Sequence, residues 1–370
     1  MILPVVKPIL RIAAIVASLI LYALTIFAAY GGRFNTEIFT FPAVLVLVLP
    51  YLAITTAIVT VAWALCKRIF PAALGVLAIL CAWGPISSVC PLSGSKKPTP
   101  GAKTFTLMTY NIVHSRDQRQ PEGRQKGNPT FQYIINSGAD IVCVQELIKV
   151  DGSEIPNYET SVKDSLKAAY PYQAGDPNLD MKVFSKYPVA FEKGYNYITG
   201  NFDQKRYTFY KVTIGNRKLT VINVHLMSYL LSEEERDVVT GMSSVAGMKE
   251  SVKEMKGSIR AKLANGFSKR KWDVDILRES IKRIKGPLII CGDFNDVPES
   301  YAYRVLKGED LKDAYVETGF GPLVTFNRHM FWFHLDQILY RGDIRALSVK
   351  KGSLKSSDHY PLTAEFEFTD

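Results

Sequence analysis

The distribution of apolar and charged positions divides the chain into two parts. Before residue 91, three stretches contain no charged side chain, at residues 12–30, 38–66 and 69–90. A helix needs roughly 20 such residues to cross a hydrocarbon core of ~30 Å. A removable signal peptide would account for the first stretch only, and three buried core helices in succession are unusual. We therefore predict a membrane anchor over residues 1–92 with three transmembrane helices.

The charges that flank these stretches indicate an orientation. Lys7 and Arg11 precede the first stretch, and two basic residues at 67–68 separate the second from the third. The positive-inside bias then places the N-terminus in the cytoplasm and the rest of the chain outside, although three lysines at 96–103 favour the opposite. We expect a multi-pass protein of an inner (cytoplasmic) membrane, with its soluble part on the periplasmic side.

After a linker at residues 93–102 that is rich in Pro, Gly and Ser, short apolar strands alternate with polar segments. Six strands carry an acid, an amide or an imidazole at or near one end. These residues are Asn111, Glu146, His225, Asp293 with Asn295, Asp336, and Asp358 with His359. In layered α/β and α+β folds, strand ends form the crevice that binds ligands. We therefore predict one catalytic domain over residues 103–370.

Two of these segments indicate a hydrolytic site for a hard metal ion. Asp293 and Asn295 follow a buried strand and are two residues apart, so they share one face. Asp358 and His359 open another alternating strand. Each residue alone has an ordinary structural explanation, although Asp336 inside an apolar strand needs a polar partner. It is the set that predicts a site.

The net charge and the cysteine content add little to the prediction of function. The net charge of +10 falls to +4 for the soluble part, because residues 1–99 hold seven basic side chains and one acid, Glu37. A pI of 9.2 therefore gives no support for nucleic-acid binding. The five cysteines indicate no disulfide framework, since Cys143 and Cys291 lie in apolar strands and the others in the apolar stretches.

A long connection at residues 226–285 separates two predicted strands. Residues 249–285 contain twelve Lys/Arg and five acids. Apolar side chains recur at helical spacing, as at Val252, Met255 and Ile259, so we predict amphipathic helices. A solvated face, an anionic membrane surface and a phosphate backbone all remain open as explanations of the charge, and the membrane anchor favours the lipid surface.

Taken in order, the motifs resemble the endonuclease/exonuclease/phosphatase superfamily, over about residues 103–368. They are Tyr110-Asn111-Ile112, Val144-Gln145-Glu146, Ser185-Lys186-Tyr187-Pro188, Asn223-Val224-His225, Gly292-Asp293-Phe294-Asn295, Leu335-Asp336 and Ser357-Asp358-His359. With the apolar stretches, the chain resembles a membrane-anchored bacterial member of the Bacteroides type. The resemblance implies an α/β (α+β) fold, a four-layer sandwich of two packed mixed β-sheets flanked by helices and preceded by three transmembrane helices.

The resemblance also implies a divalent-metal-dependent phosphoesterase that hydrolyses phosphodiester or phosphomonoester bonds by water attack. Its cofactor would be Mg²⁺ or Mn²⁺, which suits oxygen ligands. The implied metal ligands are Glu146, Asn111 beside it, and Asp358. The implied catalytic residues are His225, Asp293, Asn295, Asp336 and His359.

By the same resemblance, Asp293 and Asn295 would orient the attacking water and hold a phosphate oxygen. His359 would be the general base or an electrostatic partner, with Asp336 fixing its tautomer. His225 would donate a hydrogen bond to the phosphate or the leaving oxygen.

Arg206 is a candidate contact for a substrate phosphate, with a solvated basic loop as the alternative. The family often has Arg-Ile-Asp-Tyr where this chain has His334-Leu335-Asp336-Gln337. That departure leaves the substrate contacts of the flanking positions open.

The expected partners are a phosphate-ester substrate, either nucleic acid or a phospholipid or phosphoinositide-like head group, and the lipid bilayer. No obligate protein partner is evident. An inactive membrane-bound binding module for phosphate-containing ligands is the alternative, and a transporter has little support from spans without charges. The sequence leaves open the substrate, endo or exo action, one or two metal ions, and the oligomeric state.

Overall fold

The computed structural model describes residues 3–113, 129–147, 160–175, 180–199, 202–229, 231–232, 234–235, 249–328 and 331–369. The helices in these residues are α1 (Leu3–Ala29), α2 (Thr40–Leu47), α3 (Leu49–Leu65), α4 (Ile69–Cys81), α5 (Trp83–Val89), α6 (Pro129–Ser137), α7 (Thr160–Ala169), α8 (Lys249–Lys282), α9 (Tyr301–Lys307) and α10 (Ala314–Thr318). The strands are β1 (Thr104–Asn111), β2 (Ile141–Gln145), β3 (Tyr172–Ala174), β4 (Lys182–Ser185), β5 (Val189–Thr199), β6 (Phe202–Ile214), β7 (Arg217–His225), β8 (Leu288–Asp293), β9 (Lys312–Asp313), β10 (Phe326–Arg328), β11 (Phe331–Phe333), β12 (Asp336–Arg341), β13 (Ile344–Lys351) and β14 (Leu362–Phe368).

Twelve of the strands form two six-stranded mixed sheets. The first has the order β13-β14-β1-β2-β4-β3, and the second has the order β5-β6-β7-β8-β12-β9. Each sheet contains one parallel pair near its centre, β1 with β2 and β7 with β8, and antiparallel neighbours elsewhere. The strands β10 and β11 form a separate two-stranded ribbon.

The alternation of side chains along each strand builds four layers. On β8, Ile289 and Cys291 pack into the core between the sheets, whereas Leu288 and Ile290 pack outward with residues of α8 and α9. The first sheet is covered in the same way, because its outward-facing residues form a cluster with residues of α6 and α7. The predicted sandwich of two mixed sheets between helices is thus confirmed.

The predicted transmembrane region is only partly continuous. Residues Pro8–Ala29 of α1 form one apolar helical segment of 22 residues, long enough to cross a membrane. The other two candidates are bent pairs, with α2 and α3 meeting at 65° and α4 and α5 at 68°. The described residues therefore contain one helix of spanning length, or three spans if each bent pair counts as one.

Prolines explain the two bends. Pro50 and Pro85 lie in the first turns of α3 and α5, and a proline has no backbone N–H to continue the hydrogen-bond ladder of the preceding helix. The carbonyl of Cys81, four residues before Pro85, instead accepts a hydrogen bond from the hydroxyl of Tyr30 at 2.6 Å. An uncharged stretch is thus not necessarily a straight helix.

Segments outside the sandwich lie against it. Between residues 93 and 102, which we predicted as a linker, Lys96 pairs with Glu317 at 2.9 Å and Thr99 donates from its backbone to Glu367 at 2.7 Å. In the turn after α1, a Cβ on Gly32 would lie 1.9 Å from the carbonyl oxygen of Glu299. The apolar N-terminal region therefore packs closely on the rest of the chain.

His334, just before β12, should make the fold sensitive to acid. Burial lowers its pKa to about 3, from an ordinary value of 6.5. An unfolded chain takes up this proton as the pH falls through 6.5, but the folded chain does not, so stability is lost progressively below pH 6.5. The loss at pH 5 should be about 2 kcal/mol relative to pH 7.

Replacing His334 by phenylalanine tests this expectation, because it removes the titration and retains an aromatic ring beside Tyr315. The melting temperature should fall less between pH 7 and pH 5 for His334→Phe than for the wild type. Equal falls in the two proteins would contradict the assignment.

Candidate active site

The topology brings the predicted polar residues to one edge of both sheets. In the first sheet, the parallel strands β1 and β2 end side by side, at Asn111 and just before Glu146. In the second sheet, His225 at the end of β7 is the register partner of Asp293 on β8. Asp293 is in turn opposite Asp336, the first residue of the antiparallel strand β12. Residues far apart in sequence thus meet because their strands end at the same edge.

His359 lies between two buried carboxylates. Its Nδ1 atom is 2.9 Å from Asp336 Oδ2, and its Nε2 atom is 3.5 Å from Asp293 Oδ2. Burial alone would lower the pKa of His359, but the charges of Asp336 and Asp293 raise it to about 10. Burial raises the pKa of Asp293, against the opposing charges of His359 and His225. The imidazole is therefore held as a cation between two anions.

His225 occupies a similar position on the other side of Asp293. Its Nδ1 atom is 3.3 Å from Asp180 Oδ2, and its Nε2 atom is 3.5 Å from Glu146 Oε1. Burial would lower the pKa of His225, but the hydrogen bond and charge of Asp180, with Glu146 and Asp293, raise it to about 9. Two charged imidazoles thus share one carboxylate, that of Asp293, at 3.5 Å from His359 and 4.0 Å from His225.

Asn111 joins the two carboxylates of this cluster. Its side-chain amide nitrogen donates to Glu146 Oε1 at 2.9 Å and to Asp293 Oδ2 at 3.0 Å. Its amide oxygen accepts from the backbone of Val113 at 3.1 Å. In this arrangement Asn111 presents a donor to the centre of the site, so a role as an oxygen ligand would require the amide to turn around.

Backbone strain occurs at two of the site residues. Glu146 and Asn295 have positive φ angles of 57° and 48°. Such a conformation costs on the order of 1 kcal/mol or more for a residue other than glycine. In return, the backbone N–H of Asn295 donates to Asp293 Oδ1 at 2.7 Å, which fixes the carboxylate. The strain is typical of positions held for function.

The donor set fits a hard divalent cation. Oδ1 of Asp336 and Oδ1 of Asp358 are buried without a hydrogen-bond partner, although Oδ2 of Asp358 is 3.3 Å from Arg328. Asp293, Asp336 and His359 offer ligand atoms within 4.8 Å of one another. Glu146 lines the cavity described next together with Asp293 and His359, and it adds a further carboxylate to this donor set.

A cavity of about 370 Å³ opens onto these groups. Its polar lining includes Glu146, Asp293, Asn295, Asp358 and His359. Phe326 packs edge-on against the His359 ring, at 5.0 Å between centroids. The predicted residues with described side chains therefore form one site.

One predicted position stays untested. Arg206 belongs to β6, but its side chain lies outside the described residues.

The sequence did not point to Asp180 or Arg328. Asp180 lies just before the short strand β4 with no motif around it, and its contact with His225 spans 45 positions. Arg328 is part of the small ribbon, where it pairs with Asp358. Only the folded arrangement identifies them.

Known proteins resemble the part of the chain that holds these residues. The profile described as "Endonuclease/Exonuclease/phosphatase family" matches residues 108–359, which include every predicted site residue. No curated protein matches the chain.

Solved structures with a similar fold include truncated TDP2 from Caenorhabditis elegans, with 20% identity and a TM-score of 0.45 over 71% of this chain and 97% of the other. The endonuclease/exonuclease/phosphatase from Bacteroides vulgatus has 17% identity and a TM-score of 0.46, over 72% and 99% of the two chains. That from Beutenbergia cavernae DSM 12333 has 14% identity and a TM-score of 0.47, over 72% of each chain.

Proposed function

The chain belongs to the Endonuclease/Exonuclease/phosphatase family, and from this premise we propose that it is a divalent-metal-dependent phosphoesterase tethered to a membrane. The observation that carries the proposal is the convergence of Glu146, Asp293 and His359 on one cavity. Asn111 bridges the two carboxylates, and Asp336 holds the imidazole. This is the arrangement that water attack on a phosphate ester needs, with anionic metal ligands beside a proton carrier.

The residues proposed to hold the cation, Mg²⁺ or Mn²⁺, are Glu146, Asn111 and Asp358. Mg²⁺ commonly binds through one or two carboxylates, with water and substrate phosphate completing its shell. When bound, the ion supplies Lewis-acid stabilisation of the charge on the phosphoryl group. The buried Oδ1 of Asp358, which lacks a hydrogen-bond partner, supports this assignment.

The remaining roles follow from the hydrogen bonds. We assign to His359 the proton at Nε2, with Asp336 fixing the opposite ring nitrogen at 2.9 Å. Asp293 and Asn295, linked at 2.7 Å, orient the attacking water and a phosphate oxygen. His225, charged because of Asp180 and Glu146, donates to the phosphate or the leaving oxygen.

Residues 1–92 are proposed as the membrane anchor and residues 103–370 as the catalytic domain. The apolar segment of α1 and the two bent helix pairs support the anchor. The basic flanks at residues 7–11 and 67–68 support an inner membrane with the catalytic domain on the periplasmic side. Reporter fusions at the C-terminus test that orientation.

Metal titration of the full-length protein tests the proposed activity. Replacing Glu146 by glutamine should raise the Mg²⁺ concentration needed for half-maximal hydrolysis by about tenfold or more, because it removes a principal anionic ligand. The wild type, Glu146→Gln and the control Glu309→Gln are freed of metal with EDTA. Hydrolysis of chromogenic phosphate mono- and diesters, DNA, RNA and phospholipids is then followed as Mg²⁺ or Mn²⁺ is added.

Glu309 is an exposed carboxylate in the turn after α9, so its replacement should leave the titration unchanged. Calorimetry should give the same change in Mg²⁺ affinity in the absence of substrate. Hydrolysis that persists in EDTA would contradict the metal requirement. Binding of phosphate compounds without turnover of any ester would instead identify an inactive binding module.

A further inference from the structure

The lining of the active-site cavity contains two chemically different groups of side chains. One group comprises the acids and the imidazole of the catalytic cluster. The other group, an apolar wall, includes Val44, Leu47 and Val48, with Leu231, Leu263 and Phe333. Val44 and Leu47 belong to α2, and Val48 forms the break before α3. A helix of the apolar N-terminal region thus forms part of the wall of the active-site cavity.

Specific contacts fix this wall to the catalytic residues. Val46 of α2 packs with Val297 and Leu335 in one buried cluster. Leu335 directly precedes Asp336, and Val297 follows Asn295 by two positions. The wall is therefore continuous with the backbone segments that carry the catalytic groups.

The same wall adjoins surfaces suited to a bilayer. Residues at the start of α2 are exposed and apolar, as at Phe39 and Phe41, and α2 meets α3 at 65° within one uncharged stretch. The half-exposed indole of Trp272 donates to Glu37 at 2.7 Å, and the hydroxyl of Tyr51 contacts the carbonyl of Trp332 at 3.4 Å. Tryptophan is enriched where a protein meets the lipid head groups.

We propose that the substrate is a phosphate ester carried by an apolar, membrane-resident tail. The phosphate reaches the acid and imidazole cluster, and the tail lies along the wall formed by Val44, Leu47 and Val48. This inference rests on the proposed phosphoesterase function and adds the chemical class of the group attached to the phosphate. Apolar tail surface is stabilised on an apolar wall because both are removed from water.

The lining is a poor match for a polynucleotide. Apart from His359, Arg328 is the one basic side chain among the described lining residues, and it already faces Asp358 at 3.3 Å. A bound nucleic-acid strand would present several phosphates, which basic side chains normally neutralise. An aliphatic tail requires no such charges.

Matched esters that differ only in their tail test the inference. The full-length chain in detergent micelles is given p-nitrophenyl hexadecyl phosphate or p-nitrophenyl methyl phosphate, and in parallel hexadecyl phosphate or methyl phosphate. The wild type should show a higher kcat/KM for the long-tailed member of the pair that it hydrolyses. Val48→Phe and Val44→Phe add bulk to the wall, and Ile58→Phe is the control, since Ile58 is an exposed residue of α3 away from the cavity.

Both wall variants should lower the ratio of long-tail to short-tail kcat/KM by about tenfold, the scale on which apolar pockets discriminate. Ile58→Phe should leave the ratio unchanged. A change of less than about threefold in both folded wall variants, or no wild-type preference for the tail, overturns the inference. In that case metal-dependent hydrolysis of the short esters would still support the proposed function, whereas no hydrolysis of any ester by the wild type would remove both.

Discussion

Replacement of His359 by alanine should lower kcat for phosphate-ester hydrolysis by about 10³-fold, within the range expected when a positioned acid or base is removed. The imidazole lies between Asp336 and Asp293 at 2.9 and 3.5 Å, whereas the other charged imidazole, that of His225, pairs with Asp180 and Glu146. KM should change little, because the cavity wall and the metal ligands remain. Steady-state kinetics at saturating Mg²⁺ measure both constants.

Two variants of nearby residues separate this role from a structural one. His334→Phe alters another buried imidazole, two residues from Asp336, and should retain activity close to the wild type. Asp336→Asn keeps the shape but removes the anion beside Nδ1, and should lower kcat without a matching rise in KM. If His359→Ala were folded and nearly as active as the wild type, the assignment of the proton carrier would be wrong.

The sandwich was predictable because its strands are apolar on both faces or alternate cleanly. In β2, all five residues Ile141–Gln145 are buried, and such runs indicate strands covered by helices on one side and a sheet on the other. The basic connection was also recognised as helical. Its described residues Lys249–Lys282 form one helix of 34 residues, α8. Gly266 lies within α8 and does not break the helix. A Cβ at this position would lie 2.9 Å from the ring of Tyr229, so the glycine gives that ring room.

The breaks between the apolar N-terminal helices were not predictable from hydrophobicity alone. The length of an uncharged stretch indicates whether a segment can lie in lipid. The positions of Pro50 and Pro85 determine where the helical hydrogen-bond pattern stops. A proline in the sequence does not by itself locate a break, since Pro8 lies inside the continuous helix α1. The position of α2 against the catalytic cluster has no local signal, because it depends on contacts such as Val46 with Val297, which are 251 positions apart in the chain.

The residues of the candidate site were predictable as a set, whereas the contacts between their side chains were not. Glu146, Asp293 and Asp336 could be predicted as site residues because each is an acid that follows or interrupts an apolar strand. The sequence could not indicate that Asp180 contacts His225, or that Asn111 donates to both carboxylates. These contacts depend on how the two sheets are placed face to face.

A buried ion pair under the site should give the largest loss of stability. Arg270 of α8 and Asp296 are 1% and 3% exposed at their side chains, and the guanidinium Nε is 3.1 Å from the carboxylate. Arg270 also donates to the carbonyl of Met227 at 2.6 Å and stacks on Tyr229, with 4.2 Å to the ring centroid. It therefore joins the segment after His225 to the segment after Asp293.

Asp296→Ala should lower the free energy of unfolding by about 3–5 kcal/mol, because it leaves a buried guanidinium without its counter-ion. The double variant Arg270→Met, Asp296→Leu should recover much of that loss, since an apolar pair of similar volume needs no compensation for buried charge. Urea unfolding in detergent, followed by tryptophan fluorescence, measures both, with the exposed pair variant Glu279→Ala as a control that should change little. A double variant as unstable as Asp296→Ala would mean that the shape of this contact, rather than its uncompensated charge, determines the loss.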